Sequence, residues 1–162
     1  MSGRFALKLQ EFNRIYQVIH GTIVHEVKAE KSCVFFAIAG SYLLNKHFKI
    51  GARPVAGGFI LRPWEAKQCV GFVKEKDGKW AWGDDAFHMW VETKDHIIDF
   101  MSPIYREAFE EADPTGVLPR KMFQKRKDQE SSDPNVLSEI GAFFTFPDPE
   151  MTEEIIDHFC KS

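Results

Sequence analysis

The sequence predicts one α+β domain over residues 1–162, and three observations predict it. Apolar residues recur at helical spacing towards both ends. A second, strongly apolar helix begins at a cysteine. Between the helices lie short segments rich in Val, Ile, Phe and Trp, separated by turn signals, which read as an antiparallel meander. At 162 residues and 44% hydrophobic, the chain has enough apolar surface for one core and little room for a second domain.

The first helix follows from Phe5, Leu9, Phe12, Tyr16 and Ile19, which recur at steps of four and three, with Gly21 as its expected stop. The short stretch from Ile23 to Val27 is ambiguous. Ser32 is a good N-cap for a helix from Cys33 to about Phe48. That helix opens with Val34, Phe35, Phe36, Ala37, Ile38 and Ala39, apolar around most of its circumference, so it should be buried under other layers. Strands are expected at Val55 to Leu61, Cys69 to Lys74, Trp80 to Trp82, Phe87 to Glu92 and His96 to Phe100, with turns at Asp77-Gly78 and Gly83-Asp84-Asp85. Ser102-Pro103 opens a helix to about Ala112, and Asp113-Pro114 closes it. Arg120 to Asn135 is mostly charged with no buried face and reads as a mobile loop or a solvated helix. Ala142 to Phe146 is a further strand. Asp148-Pro149 opens a last helix through Cys160 with Met151, Ile155, Ile156 and Phe159 inward.

Charge and cysteine usage narrow the functional classes. With 21 basic and 24 acidic residues the net charge is -3, so nucleic acid and anionic membrane are not expected partners. The apolar runs Val34 to Ala39 and Ile140 to Phe146 fall far below the roughly 20 residues a bilayer span requires. Met1 to Gln10 has no continuous apolar region or small-residue cleavage site, so a cytoplasmic location is expected. Cys33, Cys69 and Cys160 cannot all pair within the chain, which agrees with a reducing compartment.

Three side chains carry the chemical expectation. Cys33 falls in the first turn of its helix, where unpaired N–H groups and the helix dipole favour a thiolate; the competing reading is a small buried hydrophobe. His88 lies inside a strand pattern, and a turn then leads to His96-Ile97-Ile98-Asp99-Phe100. Pairing His88 with Asp99 puts Glu92 opposite Asp95 and makes Thr93-Lys94 the loop; any loop of even length keeps His88 and Asp99 on one face. A thiolate that attacks an acyl carbon, an imidazole that moves the proton and a carboxylate that orients the imidazole form a triad with sulfur as nucleophile.

The run Ser32-Cys33-Val34-Phe35-Phe36-Ala37, the strand Phe87-His88-Met89-Trp90-Val91-Glu92 and the strand Ile97-Ile98-Asp99-Phe100 together resemble the papain-like and transglutaminase-like cysteine peptidase superfamily. Transglutaminase-like domains are the most similar, carrying a His-x-Trp-Val-Glu strand, a short turn and an apolar-apolar-Asp strand. Arylamine N-acetyltransferases and lasso-peptide leader proteases share the Cys, His, Asp order. The whole chain also resembles a small bacterial family of unknown function placed near these peptidases by structure. The resemblance covers about residues 30 to 105. It implies a papain-like fold, a helical lobe with a central Cys-bearing helix packed on an antiparallel sheet. It implies Cys33 as nucleophile, His88 as general base and acid, and Asp99 as orienting group, with no cofactor. The chain departs from the pattern in two places. No glutamine precedes Cys33 in His25-Glu26-Val27-Lys28-Ala29-Glu30-Lys31, and Val34 stands where many transglutaminases have an aromatic residue. The oxyanion hole is then expected from the Cys33 backbone N–H with Gln17 or His25. Trp90 is expected as a cleft wall.

The expected activity is a cysteine-dependent hydrolase of peptide, amide or thioester bonds. Alternatives are acyl transfer to an amine and an inactive superfamily member serving as a binding module. Asp84, Asp85, His88 and His96 do not converge as metal ligands, because His96 has the opposite strand parity from Asp99. Cys69 and Cys160 read as packing residues, Cys160 alternatively as an exposed thiol. Gly57-Gly58 reads as a bulge or close backbone approach.

Overall fold

The structure, a computed structural model, describes residues 5–26, 32–62, 70–72, 74–76, 79–81, 87–104, 124–129, 141–145 and 147–161. Helix α1 spans Leu9–Glu26. Its start is capped by the Glu11 carboxylate, which accepts the Lys8 N–H at 2.8 Å. The helix does not stop at Gly21 as expected. Its buried stripe of Phe12, Ile15 and Ile19 continues to Ile23, and the apolar burial gained there exceeds the roughly 1 kcal/mol that a helical glycine costs.

Helix α2 spans Ser32–His47 and is the central helix the sequence predicts, burying Val34, Phe36, Ala37, Gly40, Ser41 and Leu44. The chain leaves it through Lys49, which has a positive φ of 55°, and the Ile50 N–H returns to the Leu44 carbonyl at 3.1 Å. Asn45 then clamps the next strand: its Nδ2 donates to the Ala52 carbonyl and its Oδ1 accepts the Ala52 N–H.

The strands are β1 (Ala52–Arg62), β2 (Val70–Phe72), β3 (Lys74–Lys76), β4 (Lys79–Ala81), β5 (His88–Thr93), β6 (His96–Ile98), β7 (Gln124–Arg126) and β8 (Gly141–Thr145). All described pairings are antiparallel. The first half of β1 pairs with β5 from Ala52↔Thr93 to Gly57↔His88, and β5 leads on through β6 to β7. The second half of β1 pairs with both β2 and β8, while β3 and β4 pair in a separate two-stranded sheet. Ala56 and Met89 pack on Val34 and Ala37 of α2 and on Met151 of the C-terminal helix. Val91, Ile98 and Phe100 join Phe36 and Leu44 of α2 and the α1 stripe in a second cluster. Alternation along β5 turns His88, Trp90 and Glu92 the other way.

Residues 124–129 correct the expectation of a loop or solvated helix. Gln124 is 1% exposed; its Oε1 accepts the Leu7 N–H at 3.1 Å and its Nε2 donates to the Leu7 carbonyl at 3.0 Å. A polar side chain therefore anchors β7 by pairing with backbone, a contact that apolar periodicity does not register. The rest of Arg120 to Asn135 lies outside the described residues, as does the expected helix beyond residue 104. Helix α3, Pro149–Lys161, starts at the expected Asp148 cap, whose Oδ1 accepts the Met151 N–H at 2.9 Å. Thr152 pins it to β1, accepting the Ala56 N–H at 2.9 Å, and Ile155, Ile156 and Phe159 face inward as expected. Among the described residues, no helix is long and apolar enough to cross a membrane.

Candidate functional site

Three secondary-structure termini bring the site together. Cys33 sits in the first turn of α2, half-buried against the cluster around Val34, Ala37, Ala56 and Met89. His88 is the first residue of β5 and has no exposed side-chain surface. Asp99 directly follows β6 and is 1% exposed.

The hairpin that joins His88 and Asp99 has a different register from the one expected. Val91 pairs with Ile98 and Glu92 with Ile97, so the turn is Lys94-Asp95 rather than Thr93-Lys94. Thr93 closes it through Oγ1, which accepts the His96 N–H at 3.0 Å, and Lys127, directly after β7, holds it from outside as its N–H donates to the Asp95 carbonyl at 2.9 Å. The loop is still two residues long, so parity is kept: His88 and Asp99 share a face as diagonal neighbours, not opposite ones. The imidazole spans the extra distance, and its Nε2 lies 2.8 Å from Asp99 Oδ2.

Asp99 is itself held by a turn of its own making. Its Oδ1 accepts the Met101 N–H at 3.0 Å, the side-chain-to-backbone bond typical of an aspartate that starts a turn. The carboxylate is thereby aimed with one oxygen on the backbone and the other on the imidazole. Cys33 acts on the same ring: after Asp99, its side chain is the group that raises the imidazole's pKa. With Nε2 taken by Asp99, Nδ1 is the ring nitrogen left for the sulfur. The Phe59 ring lies 4.7 Å from the imidazole, centroid to centroid, and confines it from β1.

These contacts set the charge of His88. Burial on its own pulls the imidazolium down. The Asp99 charge and hydrogen bond, followed by the hydrogen bond and charge of Cys33, more than offset it and raise the pKa from 6.5 to about 9. A buried imidazolium therefore persists at neutral pH, flanked by a carboxylate and a sulfur. A ring so placed can hand a proton to a group leaving near Cys33 and take one back.

The other expected site residues are elsewhere. Trp90 is no cleft wall: it is 1% exposed, packs edge-on to Phe144 at 5.2 Å and donates through Nε1 to Glu92 at 3.2 Å. Strand pairing of β1 and β8 brings Phe144 over it, which the local sequence does not encode. Glu92 in turn accepts Lys127 at 2.9 Å. Gln17 lies on the exposed side of α1, and the His25 side chain lies outside the described residues, as do Asp84, Asp85 and Cys69. Cys160 is an exposed thiol. Among the described residues, no group of His, Cys, Asp and Glu could hold a metal ion. A groove of about 380 Å³ lined by Asn45, Arg53, Glu92, Thr93, Lys94 and Lys127 opens at the far end of β5 from His88. Sequence reasoning missed Phe59, Met101 and Ser102 as neighbours of the site. The Asp99-Phe100-Met101 spacing carried a signal for Met101, since aspartate favours a bond to the N–H two residues on.

The family described as "Protein of unknown function (DUF2026)" matches residues 8–162. The chain belongs to this family. A solved structure, "The crystal structure of genomics APC5867", resembles this DUF2026 chain with a TM-score of 0.76 and 25% identity, over 100% of this chain and 76% of its own. No curated protein matches the chain.

Proposed function

We propose that this DUF2026 protein is a cysteine-dependent hydrolase that cleaves an amide or thioester bond of a peptide-like substrate through a Cys33 acyl-enzyme. The observation that carries the proposal is the fully buried imidazole of His88, bonded through Nε2 to Asp99 at 2.8 Å, with its pKa raised by both Asp99 and Cys33. The order and setting of the three residues are similar to those of the papain-like and transglutaminase-like superfamily, and the proposal places the protein there. A working thiol also suits a reducing compartment, so the proposal includes the cytoplasm.

In the first half-reaction the Cys33 sulfur, as thiolate, forms a bond to the acyl carbon, and the carbonyl oxygen takes up the negative charge. The Cys33 backbone N–H, in the unpaired first turn of α2, is the donor this chain offers that oxygen. The tetrahedral adduct collapses, the bond to the leaving amine or thiol breaks, and His88 gives the leaving group its proton. In the second half-reaction water attacks the thioester and His88 takes the proton from that water. The bond to sulfur breaks, which releases the acid and restores the thiolate. Asp99 keeps the ring oriented throughout.

The test is the rate of iodoacetamide labelling at each cysteine, followed by peptide mass mapping over about pH 5.5 to 9. Cys160, exposed and remote in sequence, is an internal standard. Cys33 is expected to label faster than Cys160 at about pH 6 and to lose that advantage in His88→Ala. Labelling of Cys33 no faster than Cys160 at any pH, or an advantage that survives His88→Ala, overturns the proposal.

A further inference from the structure

The Asp99 carboxylate serves His88 only while the turn beneath it stays closed. Both carboxylate oxygens are aimed by that turn: Oδ2 at His88 and Oδ1 at the Met101 N–H. Ser102 closes it. The Ser102 hydroxyl donates to the Asp99 carbonyl at 2.6 Å, a shorter contact than the 3.3 Å between the Ser102 N–H and the same oxygen. Ser102 is 2% exposed, so no solvent is at hand to replace the bond.

A serine in this position reads from sequence as a helix cap, giving its oxygen to an N–H two or three residues on. Here the Ile104 N–H goes to the Met101 carbonyl at 3.0 Å, and the serine proton goes backward to the Asp99 carbonyl. We propose that Ser102 is the positioning residue of this site: its buried hydroxyl holds the Asp99 backbone in the one conformation that presents Oδ2 to His88 Nε2. The assignment rests on the proposed hydrolase only for its use in catalysis. The hydroxyl, the turn and the imidazole contact are independent of any substrate.

The test follows the His88 ring directly. In the full chain, the imidazole carbon–proton resonances are titrated by NMR, with His88→Gln identifying the signal. The titratable groups acting on the ring are Asp99 and Cys33, so a loosened Asp99 is read as a lower midpoint. Wild type is expected to titrate at about 9. Ser102→Ala, which removes one oxygen and no carbon, should lower the midpoint by about one unit. Ser102→Thr, which keeps the hydroxyl, should restore it. Melting curves at about pH 6 establish that each variant is folded. A midpoint in Ser102→Ala equal to wild type overturns the assignment, and so does a fall that a folded Ser102→Thr shares. Because no substrate enters, this outcome is distinct from that of Cys33 labelling, and either idea can fail alone.

Discussion

Asp99→Asn exchanges one oxygen for an amide group and removes one charge from a place closed to water, since the side chains of His88 and Asp99 are 0% and 1% exposed. In wild type the imidazolium is favoured on folding: its pKa rises from 6.5 to about 9 although burial opposes it, chiefly through the charge and hydrogen bond of Asp99. The folded value lies above the unfolded one. The stabilisation is therefore fully present below about pH 6.5 and is lost as pH rises through about 9. A shift of roughly 2.5 units at 1.36 kcal/mol per unit corresponds to about 3 kcal/mol. Part of this belongs to Cys33, and most to Asp99. Asparagine supplies no charge, so in Asp99→Asn burial prevails and the pH-dependent stabilisation disappears. Urea denaturation of both proteins between about pH 6 and 10 measures the gap between them and cancels the other titrating groups. The gap should shrink by about 3 kcal/mol as pH rises across that range. A gap that stays constant, or widens, would refute the reasoning.

Two further predictions concern the scaffold. Gly40→Ala should cost about 1–3 kcal/mol in thermal denaturation, because an added Cβ would collide with the Phe100 ring, whose Cε2 lies 2.8 Å from it and Cδ2 nearer still. A variant melting with wild type would mean that the ring yields freely. Gln124→Ala removes both bonds to the Leu7 backbone and should destabilise by about 1–3 kcal/mol, with faster hydrogen exchange at the Leu7 amide. Unchanged exchange there would show that the N-terminal segment is held by other contacts.

How far the site was legible can be followed residue by residue. The apolar run of α2, the cap at Asp148 and the strands around His88 and Ile97 each depend on short-range rules: capping oxygens, prolines and apolar periodicity. Parity is equally local, because any two-residue loop leaves His88 and Asp99 on one face. Where the loop falls is not local. The hydroxyl of Thr93 and the outside grip of Lys127 on Asp95 select Lys94-Asp95, and Lys127 arrives from a distant segment. Trp90 shows the same division. Its strand was readable, yet whether its ring met substrate or core depended on Phe144 arriving through the pairing of β1 with β8.

The sequence by itself determined the α+β order and the helix that carries Cys33 in its first turn, and it allowed His88 and Asp99 a shared face through any even-length loop, because each follows from covalent geometry and neighbours a few residues apart. Only the tertiary structure decided the charge of His88, the closed turn beneath Asp99 and the burial of Gln124 and Trp90. Desolvation, and hydrogen bonds between segments far apart in the chain, have no counterpart in local spacing.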